Sequence, residues 1–193
     1  PVYENDRGTY IFNSRDLCMI GHIPELIDAG IDSLKVEGRM KTALYVASVA
    51  RTYRKALDDY QERPQKYQEN MPWYVEQIAS CTYRQFTTGF FFGKPDENTQ
   101  IYNESTYVKE YTYLGTVEEE RDGLCRIRQR NKFSVGEWIE VMKPDGRNVK
   151  VQVGRIVSEE GMEQESAPHA KQIVWIDLKG QAEKFDILRR SEV

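Results

Sequence analysis

The run Ser33-Leu34-Lys35-Val36-Glu37-Gly38-Arg39-Met40-Lys41 constrains this chain more than any other stretch. Leu34 to Val36 is short and β-prone, it stops at Glu-Gly-Arg, and a helical pattern starts a few residues later. Val46, Ala50, Tyr53, Leu57 and Tyr60 recur at spacings of four, three, four and three, one apolar stripe of a helix over about residues 43–60. The opposite face would carry Arg51, Arg54, Lys55, Asp58 and Asp59. A strand leading into a long amphipathic helix is half of a βαβ unit, and such a unit cannot bury a parallel sheet alone. The first sixty residues therefore read as the end of a larger α/β domain. Charged groups at the C-terminal tip of a buried strand form active-site rims in such folds. The other reading is a salt-bridged turn in which Glu37 and Arg39 neutralise each other.

Around this core pattern the chain changes character twice. Ser14 can cap a helical turn over Asp16 to Ile20, ended by Gly21, and Pro24 suits the first turn of a helix from Glu25 to Ala29 with Gly30 just beyond its end. Gln61 to Pro72 is rich in Gln, Glu and Asn and reads as a solvated connection. Trp73 to Cys81 can form a short helix with Trp73, Val75 and Ile78 facing inward. Arg84 to Pro95 packs aromatics between glycines, either plugging an interface or stacking on a ligand. From about Glu104 the signal is all-β, with strands expected at Tyr107 to Val117, Gly123 to Arg130, Glu137 to Met142, Val149 to Val157 and Gln172 to Leu178. Gly154 interrupts the alternation of Val149, Val151 and Val153, as a bulge does where a strand bends round a small barrel.

The expected architecture is α+β. Residues 1–60 are the α/β end of a TIM-like barrel, 61–103 a linker with a short helix and an aromatic loop, and 104–193 a small antiparallel β-barrel. At 193 residues, 39% apolar and 30% charged, the chain suits one or two soluble domains. Nothing approaches the ~20 apolar residues that cross a bilayer, so no membrane partner is expected. A net charge of −4 argues against polyanion binding on bulk charge, while leaving room for a local patch. The three cysteines, Cys18, Cys81 and Cys125, are odd in number and far apart, which fits a reducing compartment and a cytoplasmic protein.

Few residues carry obvious chemistry. Cys18, flanked by Asp16 and His22, is either a small buried hydrophobe or a ligand or nucleophile. No zincin helix, nucleophile elbow or P-loop is present. Lys35 and Glu37 lie two apart on one strand face and make a natural buried pair. Arg126, Arg128 and Arg130 alternate along one strand, with Lys132 just beyond. Their repulsion is relieved either by Glu137 and Glu140 on a neighbouring strand or by an RNA backbone.

One family joins these pieces. Phe12-Asn13-Ser14-Arg15-Asp16-Leu17-Cys18-Met19-Ile20, Ile23-Pro24-Glu25-Leu26, the run from Gly30 to Lys41, Tyr45-Val46-Ala47 and Tyr53-Arg54 resemble the closing segment of the catalytic region of peptidase family U32, the collagenase-like proteases. Arg84 and Phe86-Thr87-Thr88-Gly89-Phe90 resemble that family's linker, ahead of a C-terminal β-barrel. The resemblance implies a TIM-type larger domain and a choice of activities. One is prephenate-dependent 5-hydroxylation of the tRNA wobble uridine; the other is hydrolysis of collagen-like or other peptides. A third expectation is a non-catalytic piece whose barrel binds RNA or a partner. The resemblance also implies an iron–sulfur cluster in some members, with Cys18 at the last of four cysteine positions and the others outside this chain; the chain alone should lack both cluster and activity. Glu37, Arg39, Lys41 and Lys35 would line the catalytic rim, and Arg126, Arg128, Arg130 and Lys132 would touch RNA. Expected partners are tRNA or a peptide, and a paralogous U32 subunit.

Overall fold

The computed structural model describes residues 3–6, 8–10, 14–81, 85–96, 99 and 110–192. Phe12 and Asn13, Arg84, and Tyr107 at the expected start of the first C-terminal strand lie outside the described residues. A small hairpin, β1 (Tyr3–Asn5) and β2 (Gly8–Tyr10), comes first. The helical turn expected over Asp16 to Ile20 is not formed. Asp16–Leu17 is a short strand, β3, which comes before a 3-10 turn at Ile20–His22 and helix α1 at Ile23–Asp28. The amides of Asp16 and Cys18 donate to Gln85 O and Thr87 O at 3.0 and 2.9 Å, and a single helical turn, costly to nucleate, does not compete with those bonds. Pro24 and Gly30 act as expected: Pro24 lies in the first turn of α1, and Gly30 sits beyond its end at φ +74°.

Helix α2 (Ala43–Glu62) starts where Thr42 Oγ1 accepts the Tyr45 amide at 3.3 Å. The region after it is helical rather than a solvated connection. Arg63 is extended, as the residue before a proline prefers, and α3 (Pro64–Glu69) and α4 (Met71–Ala79) follow, each with proline in its first turn. The two prolines divide a helical region into three without opening it. In α4 the inward residues are Tyr74, Gln77 and Ile78, whereas Val75 is exposed.

The buried side of α2 also differs from the expected stripe. Tyr53, Leu57 and Tyr60 are partly covered by the cluster of Ile20, Ile23, Tyr67, Tyr74 and Ile78, but Val46 and Ala50 are exposed. The deepest positions are Leu44, Ser48, Val49, Arg51, Thr52, Ala56 and Asp59. Arg51 and Asp59, expected on the surface, are buried because each has partners. Lys55 and Asn70 donate to Asp59 at 2.8 and 2.9 Å, as does Tyr74 at 2.5 Å. Burial would raise the Asp59 carboxyl, but these bonds and that of Lys66 outweigh it and hold the group well below the usual carboxylate range.

The C-terminal half is one antiparallel eight-stranded sheet. In chain order it comprises β5 (Tyr111–Arg121), β6 (Leu124–Gln129), β8 (Trp138–Met142), β9 (Asn148–Gln152), β10 (Ile156–Ser158), β11 (Glu163–Gln164), β13 (Ile173–Ile176) and β14 (Ile187–Ser191). Strand β4 (Phe86–Thr87) pairs with β3 in parallel, and β7 (Phe133–Ser134) pairs with β12 (Ser166–Ala167). The spatial order is β11-β10-β13-β6-β5-β14-β8-β9. The strand expected at Val149 to Val157 is two. Its first part pairs with β8 and its second with β13. Between them Gly154 N donates to Asp177 O at 2.9 Å and Asp177 N to Arg155 O at 3.0 Å. One bent segment thus supplies the edge strand β9 and then β10, next to the opposite edge, and the sheet curls over a single core including Leu114, Ile127, Val141, Ile156, Ile176 and Leu188.

Arg189 of β14, a strand the sequence reading missed, joins sheet to helices. It is 1% exposed. Its guanidinium pairs with Glu140 at 2.9 Å, donates to Ser80 Oγ and Gln77 Oε1, and lies 4.1 Å from the centre of the Tyr111 ring. Arg51 reaches the same Gln77 oxygen at 2.6 Å and the carbonyl of Lys143 at 2.9 Å. Burial, and then the neighbouring Arg189, pull Arg51 down to about 10.

Candidate functional site

The 31–38 stretch takes no regular structure, so the strand expected at Ser33 to Val36 is absent. A strand needs a hydrogen-bonding neighbour, and among the described residues none pairs with it. Lys35, Glu37 and Arg39 are exposed, and the expected Lys35–Glu37 pair does not form. Glu37 Oε1 instead accepts the Arg39 amide at 2.9 Å, a local turn contact. Among the described residues no ion pair joins Glu37 to Arg39.

Lys41 is the rim residue that meets other chemistry. Its Nζ is 3.7 Å from Asp16 Oδ2 and 5.1 Å from the centre of the Tyr45 ring. Asp16 and Cys18 are brought here by β3, whose bonds to β4 fix the backbone on both sides of Leu17. Cys18 Sγ lies 3.8 Å from Tyr53 Oη on α2. That hydroxyl accepts the Met19 amide at 2.9 Å, which leaves its own proton free to point at sulfur. Burial, and then the Cys18 sulfur, raise Tyr53 above the ordinary phenol value, so it stays a neutral donor. Asp16, Cys18, Lys41, Tyr45 and Tyr53 thus converge from three segments, and a thiolate at Cys18 would find a hydroxyl donor. Tyr53 was read from sequence only as a core aromatic; no local signal marks it as a partner of Cys18, 35 residues away.

The neighbouring surface is apolar and open. Leu17 is 59% exposed, Met40 92% and Phe90 81%, with Phe91 and Phe92 also exposed. Of the aromatic loop, Phe86 packs against the helical cluster and Phe92 rests on His22, 4.4 Å between centroids, while Phe90 and Phe91 stay exposed.

The arginine strip forms, with different partners from those expected. Arg126 and Arg128 point outward from β6 while Cys125, Ile127 and Gln129 face the core. Glu118 on β5 bonds both arginines, and Glu159 takes Arg126 at 2.9 Å. Glu137 and Glu140 serve Arg190 and Arg189 instead. Arg130 and Lys132 are exposed.

As a metal site the described residues are insufficient. They hold no grouping of three or more His, Cys, Asp or Glu that could take an ion. Cys81 is buried behind α2, and Cys125 is in the sheet core, its thiol near Ala182 O. Cys18 offers one thiolate. No helix among the described residues is long and apolar enough to cross a membrane.

A helical layer with a charged cysteine-bearing corner, fixed by buried arginines to a curled antiparallel sheet, defines a two-part protein of mixed helix and sheet. The family model for peptidase family U32 matches residues 2–101, and that for the peptidase family U32 C-terminal domain matches residues 109–189. The chain belongs to the U32 family. It is 32% identical over 193 residues to the tRNA hydroxylation protein P1 of Bacillus subtilis, covering 99% of this chain and 46% of that one. To the tRNA hydroxylation protein P of Escherichia coli it is 32% identical over 179 residues, covering 92% and 38%. It is 33% identical over 107 residues to a collagenase of Porphyromonas gingivalis, covering 55% and 29%. A solved C-terminal domain of a U32-type protein from Geobacillus thermoleovorans overlaps 41% of this chain and 99% of its own at 27% identity, with a TM-score of 0.38. The chain spans less than half the length of these curated relatives.

Proposed function

We propose that this chain belongs to a tRNA-hydroxylating protein, acting in the prephenate-dependent 5-hydroxylation of the wobble uridine. The observation that carries the reading is the 99% coverage at 32% identity by a protein named for tRNA hydroxylation. The corner of Asp16, Cys18, Lys41 and Tyr53 supports it with a thiol held beside a hydroxyl donor, and a cation paired with the nearby Asp16. In this reading residues 1–60 complete a TIM-like α/β domain, 61–103 connect it, and 104–193 form a barrel that meets RNA. The exposed Leu17, Met40 and Phe90 fit that view, since they would be covered once the α/β domain is complete. Lys35, Glu37 and Arg39 would then sit at its rim, close to the substrate. Cys18 would be one ligand of an iron–sulfur cluster, which would supply redox chemistry, and its other ligands would come from outside the described residues. A paralogous U32 subunit is a further partner in this proposal.

A collagenase among the relatives favours a second reading, peptide hydrolysis with Glu37 as acid or base. One experiment separates the two. Deleting the gene should remove hydroxylated uridine from digested tRNA, read by mass spectrometry, and the full-length gene should restore it. Cys18→Ser and Lys41→Ala at matched abundance should not. TRNA unchanged by the deletion, with gelatin hydrolysis that Glu37→Gln abolishes, would establish the peptidase instead.

A further inference from the structure

The first turn of α2 and the ends of β5 and β6 enclose a cleft of about 480 Å³, lined among others by Thr42, Leu44, Tyr111, Tyr113, Arg130 and Asn131. That volume lies in the range of small-ligand sites, roughly 300–1,000 Å³. Its chemistry is uneven in a way that selects a ligand. Of the cations along this edge, Arg126 and Arg128 are neutralised by Glu118 and Glu159. Among the described residues no carboxylate is paired with Arg130, whose amide is anchored to Leu114 O at 2.8 Å.

The aromatic wall is preset. Tyr113 Oη shares a hydrogen bond of 2.7 Å with Thr116 Oγ1, and Arg189 backs the Tyr111 ring at 4.1 Å. Asn131 Nδ2 donates to Tyr113 O at 2.7 Å, which leaves its side-chain carbonyl open among the described residues. At the other wall, Thr42 takes the Tyr45 amide on its side chain and the Val46 amide on its carbonyl. The Ala43 and Leu44 amides precede these and have no partner within the helix. A cation, two helix-start amides, two held rings and an amide carbonyl make an anion subsite beside a stacking wall.

We infer that this cleft binds one nucleotide of single-stranded RNA, with phosphate at Arg130 and the start of α2 and the base against Tyr111 and Tyr113. The inference rests on the tRNA reading above and adds a binding site whose Thr42 wall directly follows Lys41 of the Cys18 corner. Unlike the broad basic strip expected from sequence, it concentrates recognition at the one strip arginine beside the cleft.

Fluorescence anisotropy of the purified chain with a labelled anticodon stem-loop tests it. Arg130→Gln should weaken binding about tenfold and lower the salt slope by about one, and Tyr113→Ser should weaken it without changing that slope. Arg155→Gln, on another edge of the sheet, should bind like the parent. Uridine monophosphate should compete, and uridine much less. Arg130→Gln binding within twofold of the parent would overturn the assignment, as would an equal loss in Arg155→Gln. Competition by free nucleotide with no binding of RNA would overturn the RNA source. If gene deletion abolishes tRNA hydroxylation while Arg130→Gln binds normally, the cleft alone is wrong; if deletion leaves tRNA unchanged, the tRNA reading falls with it.

Discussion

The curled sheet of residues 111–191 closes over one continuous core and exposes Trp138, Met162 and Phe185 only at its periphery, whereas the segment of residues 14–62 buries one side and leaves the other open. Leu114, Val117, Ile127, Ile156, Ile176 and Leu188 are all 0% exposed. In the other region Met40 is 92% exposed, Leu17 59% and Val46 46%, although α2 is firmly packed on its inner side. The sheet curls on itself because one bent segment supplies the edge strand β9 and then β10, next to the opposite edge. The N-terminal region is packed on its side toward the sheet and leaves Leu17 and Met40 open on the side of Cys18. The joint formed by Arg51 and Arg189 belongs to the closed side, where both guanidiniums are buried.

The largest effect expected from that contrast is in the sheet. Leu188→Ala removes a fully buried side chain from a close-packed core and should cost about 2–5 kcal/mol in a urea titration. Met40→Ala should stay within about 0.5 kcal/mol. A Met40 cost matching that of Leu188 would mean that its face is already covered in solution, and the contrast would break.

Asp59 sharpens the same comparison from the helical side. Its carboxyl is depressed in the fold, against about 3.9 for an unfolded aspartate. Folding then favours the ionised form, so the contribution is complete above about pH 5 and drains as pH falls through the folded value. Asp59→Asn should lose on the order of 2 kcal/mol at pH 7, because Lys55 and Lys66 lose a buried anion. Its stability should then vary less than the parent's between pH 5 and pH 3. A parallel pH profile in the two proteins would show that Asp59 is not the titrating group.

How far the sequence was legible follows the range of each signal. The α2 helix, Gly30 beyond α1 and the break at Gly154 were legible because spacing and local backbone rules decide them. The U32 pattern was legible as a run of residues. The burial of Arg51 was not, since it depends on carbonyls 92 and 96 residues away. Strand β14 was obscured by Arg189, whose partners Glu140, Gln77 and Ser80 come from β8, from α4 and from the residue that ends α4. The strand at Ser33 to Val36 was misjudged for the converse reason: its residues suit a sheet, but pairing depends on a neighbour the segment does not itself contain. The Cys18–Tyr53 contact was hidden in the same way, and the arginine strip was assigned to Glu137 and Glu140 rather than Glu118 because strand neighbours and register are not written in the local sequence.

The smallest expected effect tests the bend through which the sheet curls on itself. At Gly154 an added Cβ would lie 2.7 Å from Asp177 Oδ2 and 2.9 Å from Asp177 Cβ. The carboxylate can swing outward, since the side chain is 30% exposed, but it would give up its bond of 2.8 Å from the Lys179 amide. Asp177 Cβ can move only with a backbone that is bonded to Gly154 and Arg155. Overpacking of this kind costs about 1–3 kcal/mol, and the smaller backbone entropy of alanine in the unfolded chain offsets part of it, which places Gly154→Ala near 1. Hydrogen exchange should quicken at the Gly154 and Asp177 amides while the Met40 region is unchanged. A substitution that left both amides as protected as before would show that the bend tolerates a side chain, and that the sheet's closure rests on its ladders rather than on this contact.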